Sequence, residues 1–272
     1  MQNTSLTPLM KQYFDIRSKY PGIVLFFRLG DFYEMFDDQA REISALLGLT
    51  LTARNGVPMC GIPFHAANNY IVRLLNAGKK IGICEQTSAV MDKNTKLFER
   101  KVTRVITPGT VMEDTLLEAN DSNYLVALSV GKTGWALSCV EVSTGEFWVN
   151  QNDKDPSLSN LAGVLAAINP AEIIADKSTL EPLKTKVVLP GSLTLTEQEP
   201  FDGDYTLPDN WPALGAWGNK KAALACALQT MKYLNVTEPS FKTVLIPAYR
   251  ELKECGQKIF VLDSKYYRYG AT

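Results

Sequence analysis

Phe32 and Glu34 are the residues of this 272-residue chain whose types and spacing best suit chemistry on a partner. They lie in the run Gly30-Asp31-Phe32-Tyr33-Glu34-Met35-Phe36, just after the tight turn Leu29-Gly30-Asp31. In an extended strand, residues two apart project from the same face. An aromatic ring held there can wedge between base steps, exchanging about a few kcal/mol of unstacking for a bent duplex. A carboxyl group beside it can hydrogen-bond an exposed base edge. Near phosphates a carboxylate is electrostatically unfavourable, so Glu34 suits discrimination rather than general affinity. Spacing alone fits at least as well a Phe32 packed in the core beside a solvated Glu34.

Other chemistries find less support. His65 is the single histidine, five residues after Cys60, and a metal site needs more ligands than that pair supplies. A satisfied structural imidazole is the expected role, and no Ser/His/Asp or Cys/His triad can be assembled from it. Gly131-Lys132-Thr133 has the end of a phosphate-binding loop, but the position that requires its first glycine is Val126. The five cysteines are scattered without a C-x-x-C pair, which favours reduced thiols and a cytoplasmic location. No stretch has the length of a membrane span or the form of a signal peptide.

The net charge of −1 conceals an asymmetry: residues 1–120 hold 14 Lys and Arg against 12 Asp and Glu, and the remainder 14 against 17. Between Arg73 and Arg104 lie eight basic residues (Arg73, Lys79, Lys80, Lys93, Lys96, Arg100, Lys101 and Arg104) and three acidic ones. A local excess can attract a polyanion while the whole chain stays neutral, although a solvated face reads equally well.

The elements that must position these residues follow from pattern and punctuation. Thr7-Pro8 starts a helix that Tyr20-Pro21-Gly22 ends. Ile23–Phe27 and Phe32–Phe36 read as a β-hairpin, and Asp37 and Asp38 as capping and favourable charge for a helix closed by Gly48. Arg54–Ile62 reads as a loop from Asn55-Gly56 and Val57-Pro58. A helix at Asn68–Ala77 and strands at Ile81–Cys84 and Val102–Thr107 complete a first compact α/β domain, residues 1–115. An acidic, polar linker is expected at 116–122. The second domain, 123–258, opens with strands Tyr124–Val130, Trp135–Val142 and Phe147–Asn150 as an antiparallel meander. A helix near Leu158–Ile168, a strand at Glu172–Ala175 and a helix at Lys220–Leu234 follow, whereas Lys177–Pro212 gives no clear pattern. The order β-β-β-α-β matches an RNase H-like domain, so the fold class is mixed α/β (α+β). A metal-dependent nuclease would need carboxylates on the first strands. Tyr124–Val130 has none, leaving Glu141 and Glu146 at the end of the second strand and in the next turn.

The run GDFYEMF resembles the mismatch-recognition signature of MutS DNA mismatch-repair proteins. TPLMKQYFDIR precedes it, and PMCGIPFHAANNYIVRLLNAGKKIGICEQ and ERKVTRVITPGT follow in the family's order. The likeness is strong over residues 5–115, moderate over 123–263, and fails in the tail Ser264–Thr272; residues 259–272 look like the entrance to the family's lever domain. It implies that Phe32 is a wedge and Glu34 the base-reading carboxylate of a domain binding mispaired or unpaired bases in double-stranded DNA. Arg54 and Met59 are implied near the same groove, with Lys79, Lys80, Arg100, Lys101 and Arg104 as candidate phosphate contacts. The second domain would be a non-catalytic connector, implicated in contacts with a MutL-type partner. ATP and magnesium belong to family domains not seen in this chain, for which no cofactor and no enzyme activity are expected. Full-length relatives form homodimers through those domains, so this chain is expected to be a monomer that binds DNA weakly.

Overall fold

A computed structural model describes residues 6–93, 95–111, 123–200, 207–212, 217–238 and 245–250, together with the backbone of 252–255 and 258–261. The chain divides into two compact units, residues 1–107 with 236–239, and 108–235 with 240–272. The expected linker at 116–122 and the tail Ser264–Thr272 lie outside the described residues.

The first unit is a six-stranded mixed sheet of order β3-β4-β2-β1-β5-β6. Its strands are β1 (Ile23–Leu29), β2 (Phe32–Phe36), β3 (Thr52–Arg54), β4 (Val57–Pro63), β5 (Lys80–Gln86) and β6 (Arg100–Ile106). Only β1 and β5 pair in parallel; the other neighbours are antiparallel. Helix α1 (Pro8–Arg17) is capped by Thr7, whose hydroxyl accepts from the Met10 amide. It lies on one face, packing Met10 and Tyr13 onto Leu25, Phe27, Phe36 and Cys84. The alternate residues Phe26, Met35, Cys60, Ile62 and Ile81 are buried on the other face, beneath α2 (Asp37–Leu47) and α3 (Ala67–Asn76).

Two expectations change here. Arg54–Ile62 is a β-hairpin rather than a loop: Asn55 and Gly56 both take positive φ, 50° and 78°, in a two-residue turn between the paired Arg54 and Val57. That backbone suits the twist of the flanking strands, and Pro58 is accommodated beside the short edge strand β3. Asp37 and Asp38 place negative charge in the first turn of α2, but neither side chain caps it. Asp38 instead accepts a two-pronged bond from Arg17 at 2.5 and 2.7 Å.

The second unit has a six-stranded sheet of order β11-β10-β7-β8-β9-β12. The strands β7 (Tyr124–Val130), β8 (Trp135–Glu141) and β9 (Glu146–Asn152) form an antiparallel meander. Then β10 (Glu172–Ala175) runs parallel to β7, β11 (Thr194–Glu197) parallel to β10, and β12 (Ala248–Tyr249) parallel to β9. The first five strands thus lie in the order third, second, first, fourth, fifth, an RNase H-like arrangement. Helices α4 (Ser159–Ile168) and α5 (Lys177–Lys186) cover one face. The other face buries α6 (Lys221–Thr237) with Trp211 and Trp217. The segment that sequence alone left unread therefore contains α5 and β11. A short hairpin of β13 (Leu252–Cys255) and β14 (Lys258–Val261) follows, and the expected boundary after residue 258 falls within β14.

Candidate nucleic-acid interface

Phe32 opens β2, its Cα registered against Leu29 across the two-residue turn and against Pro63 on β4. Gly30 supplies the turn's left-handed conformation (φ +57°). Phe32, Glu34 and Phe36 share the sheet face that carries α1, but their fates differ. Phe36 is wholly buried beneath the helix, whereas Phe32 is 46% exposed beyond its reach. The strand is held rigidly behind that ring. Tyr33 points to the opposite face, stacks on Phe26 (centroids 5.5 Å apart) and donates its hydroxyl to Glu85. Burial, and then the Glu85 bond, push the Tyr33 phenol up to about 12. The Tyr13 hydroxyl accepts from the Phe36 amide (3.3 Å) and donates to Gln39 (3.1 Å), tying α1, β2 and α2 together.

Glu34 is not simply solvated. Its side chain is 13% exposed and pairs with Arg54 at 2.5 Å. Gly61 lies directly opposite in the register, and a Cβ there would stand 3.5 Å from Glu34 Cγ. The guanidinium, 42% exposed, reaches over β4 from the β3–β4 turn and offsets the carboxylate where phosphates would repel it. The family resemblance placed Arg54 near this site, but the pair was not legible, because a helix separates the partners in sequence and strand β4 lies between them in the sheet.

The remaining candidates divide. Met59 packs against the core beneath α1 rather than standing free. Arg100, 7% exposed, cannot reach a phosphate: it donates to Arg28 O and Gln12 Oε1, each at 2.9 Å, and lies 5.0 Å from the Phe27 ring centre. Arg104 pairs with Glu238 at 2.6 Å, Lys101 with Glu99 at 2.9 Å, and Lys79 with Glu42. Lys80 sits half-buried at the start of β5. His65 follows Phe64 in the short 3-10 turn Phe64–Ala66, whose first amide is held by Asp31 O at 3.0 Å. Arg28 spans this edge, donating to Gly30 O and lying 3.6 Å from the Phe64 ring centre.

In the second unit Glu141 accepts from Thr144 (2.9 Å), while Glu146 accepts from Tyr124 (2.9 Å) and pairs with Arg250 (2.7 Å). Among the described residues no group of three or more His, Cys, Asp or Glu side chains converges as a metal site. Nor, among them, is any helix long and apolar enough to cross a membrane.

The chain matches the family models of MutS domain I over residues 7–115 and MutS domain II over residues 123–207. It is 48% identical over 186 residues to a DNA mismatch repair protein MutS of Treponema denticola, covering 65% of this chain and 21% of that protein. It is 45% identical over 271 residues to the protein of the same name from Pelotomaculum thermopropionicum, covering 95% of this chain and 30% of the relative. The chain thus spans between a fifth and a third of the length of these curated relatives. The chain, with its two mixed sheets and an RNase H-like second unit, belongs to the MutS family of DNA mismatch-repair proteins and matches its domains I and II.

Proposed function

We propose that the first unit reads mispaired or unpaired bases in double-stranded DNA, Phe32 inserting at the defect and Glu34 accepting a hydrogen bond from the displaced base. The observation that carries this reading is the exposed Phe32 ring on a strand otherwise locked into the core. Folding gains little from a phenyl group left in water, whereas a base step gives it a stacking partner. Glu34 adds selectivity, since its carboxylate meets an unpaired base edge but not one already engaged in a pair. Arg54 limits the repulsion that carboxylate would otherwise feel. The second unit relays this event to the ATPase of the family and to a MutL-type partner; support comes from the domain II match and from carboxylates engaged in structural bonds.

Equilibrium binding at low salt to a matched duplex, a G·T duplex and a duplex with an unpaired T tests the proposal. Wild type is expected to prefer the defective duplexes, and Phe32→Ala to lose roughly 5- to 150-fold on them, the worth of about 1–3 kcal/mol of base–aromatic stacking. A preference unchanged by Phe32→Ala refutes the assignment.

A further inference from the structure

The arm between β5 and β6, described over residues 87–93 and 95–99, presents two exposed lysines of the first unit's basic cluster. Of the eight basic residues between Arg73 and Arg104, Arg100 is buried, Lys80 is half-buried, Lys79, Lys101 and Arg104 face carboxylates, and Arg73 is exposed on α3, away from the arm in sequence. Lys93 and Lys96 are exposed, and neither side chain forms an ion pair or hydrogen bond with the described residues. The acids of the arm are engaged within the first unit: Asp92 Oδ1 accepts from the Thr95 amide (2.7 Å) and hydroxyl (3.0 Å), and Glu99 pairs with Lys101. The arm is nevertheless shaped. Thr87 N donates to Glu99 O, Asp92 N to Leu97 O and Lys96 N to Asp92 O, at 2.8–2.9 Å.

Its place follows from register. Because β1 and β5 run in parallel, with Phe27 level with Cys84, β5 ends at the same sheet edge as the Leu29–Phe32 turn. The base of the arm is tied to the Phe32 face, since Gln12 on α1 donates to Phe98 O at 2.9 Å. Val90 and Met91 in the arm are 77% and 51% exposed, apolar surface left largely open to solvent.

We infer that this arm is a second grip on the duplex, Lys93 and Lys96 on the phosphates beside the base step Phe32 enters, with Val90 and Met91 against the sugar edges. The inference rests on the proposed DNA reading of this unit, and it moves the backbone contacts from the paired cations to the arm. Phosphate contacts position a duplex without reading it, so the arm contributes affinity and no discrimination.

The test is the salt dependence of binding by the full chain to matched and unpaired-T duplexes. Lys93→Gln/Lys96→Gln is expected to weaken both equally and to reduce the slope of log K against log[salt] by about 2, about 1 per lysine. Lys93→Arg/Lys96→Arg keeps the slope, and Lys79→Gln/Lys101→Gln changes it less. An unchanged slope in the glutamine variant overturns the arm's role, even where Phe32→Ala abolishes mismatch preference. A reduced slope with a preference indifferent to Phe32→Ala upholds the arm and refutes the wedge. Absence of DNA binding by the wild-type chain refutes both.

Discussion

Two phenylalanines four residues apart separate the proposed function from stability. Phe36 is fully buried against Met10, Tyr13 and Phe27, so Phe36→Ala should cost about 3–5 kcal/mol of folding stability. Phe32 is nearly half exposed, and Phe32→Ala should stay within about 0.5 kcal/mol of wild type. Urea midpoints at constant slope check both. The Glu34–Arg54 pair is only partly shielded and should contribute little to folding; its effect should appear in binding. In the proposed complex Arg54→Met would leave a bare carboxylate near phosphates and Glu34→Gln would relieve it, so the two substitutions should couple by about 0.5–3 kcal/mol in duplex affinity. Strict additivity would show that Arg54 acts on DNA independently of Glu34. The buried thiols are a separate matter. Burial pushes Cys60 up to about 11 and Cys84 and Cys226 to about 12, and raises Cys139 as well. At pH 8 their thiolate fractions are at most about one part in a thousand, and these four should resist iodoacetamide in the native protein while reacting in urea.

At the scale of elements, two acidic residues begin helices by different means. Asp155, 3% exposed, accepts from the Trp135 indole (2.9 Å) and from the Ser159 and Leu161 amides (3.1 and 3.0 Å), serving α4 from outside its own cap position. Burial pushes its carboxyl up, but these donors outweigh that and hold it below the usual aspartate value. Its contribution is therefore present above the unfolded value near about 3.9 and lost as pH falls through the lower folded one. Asp155→Ala should cost about 2–3 kcal/mol at pH 7, a deficit that shrinks in acid. Asp37 takes a φ of 58° where β2 passes into α2 without a linker. Asp37→Val should destabilise by about 1–2 kcal/mol, whereas Asp37→Gly should be close to neutral. These elements were unequally legible. Strands β1 and β7–β10 show in sequence as short continuous apolar runs, because both their faces are buried, β2 shows through the turn before it, and α4 and α6 show through their apolar residues at helical spacing. The β3–β4 hairpin was obscured by Pro58 beside its Asn-Gly signal, and α5 by Pro182 within a polar run.

At the scale of the molecule, what sequence conveyed was the Phe-x-Glu pattern and the order of elements; what it could not convey was which charges are already spent. Arg100 and Lys93 look alike as letters, yet one is walled in by Phe27 and Gln12 and the other stands on an open arm. Ion pairs such as Glu34–Arg54 depend on strand order and register, which no local pattern encodes. The sheet of the first unit is covered by helices on both faces, and the face under α1 opens at Phe32, beside the Glu34–Arg54 pair that the proposal uses to read a base.

The most direct test of that account is fluorescence of 2-aminopurine placed beside an unpaired T, measured at saturation with the wild-type chain and with Phe32→Ala. Insertion of Phe32 unstacks the neighbouring base, so the signal should rise with wild type and remain at the free-duplex level with the alanine variant. An equal rise with both proteins, or no rise at saturated wild-type binding, would contradict the wedge.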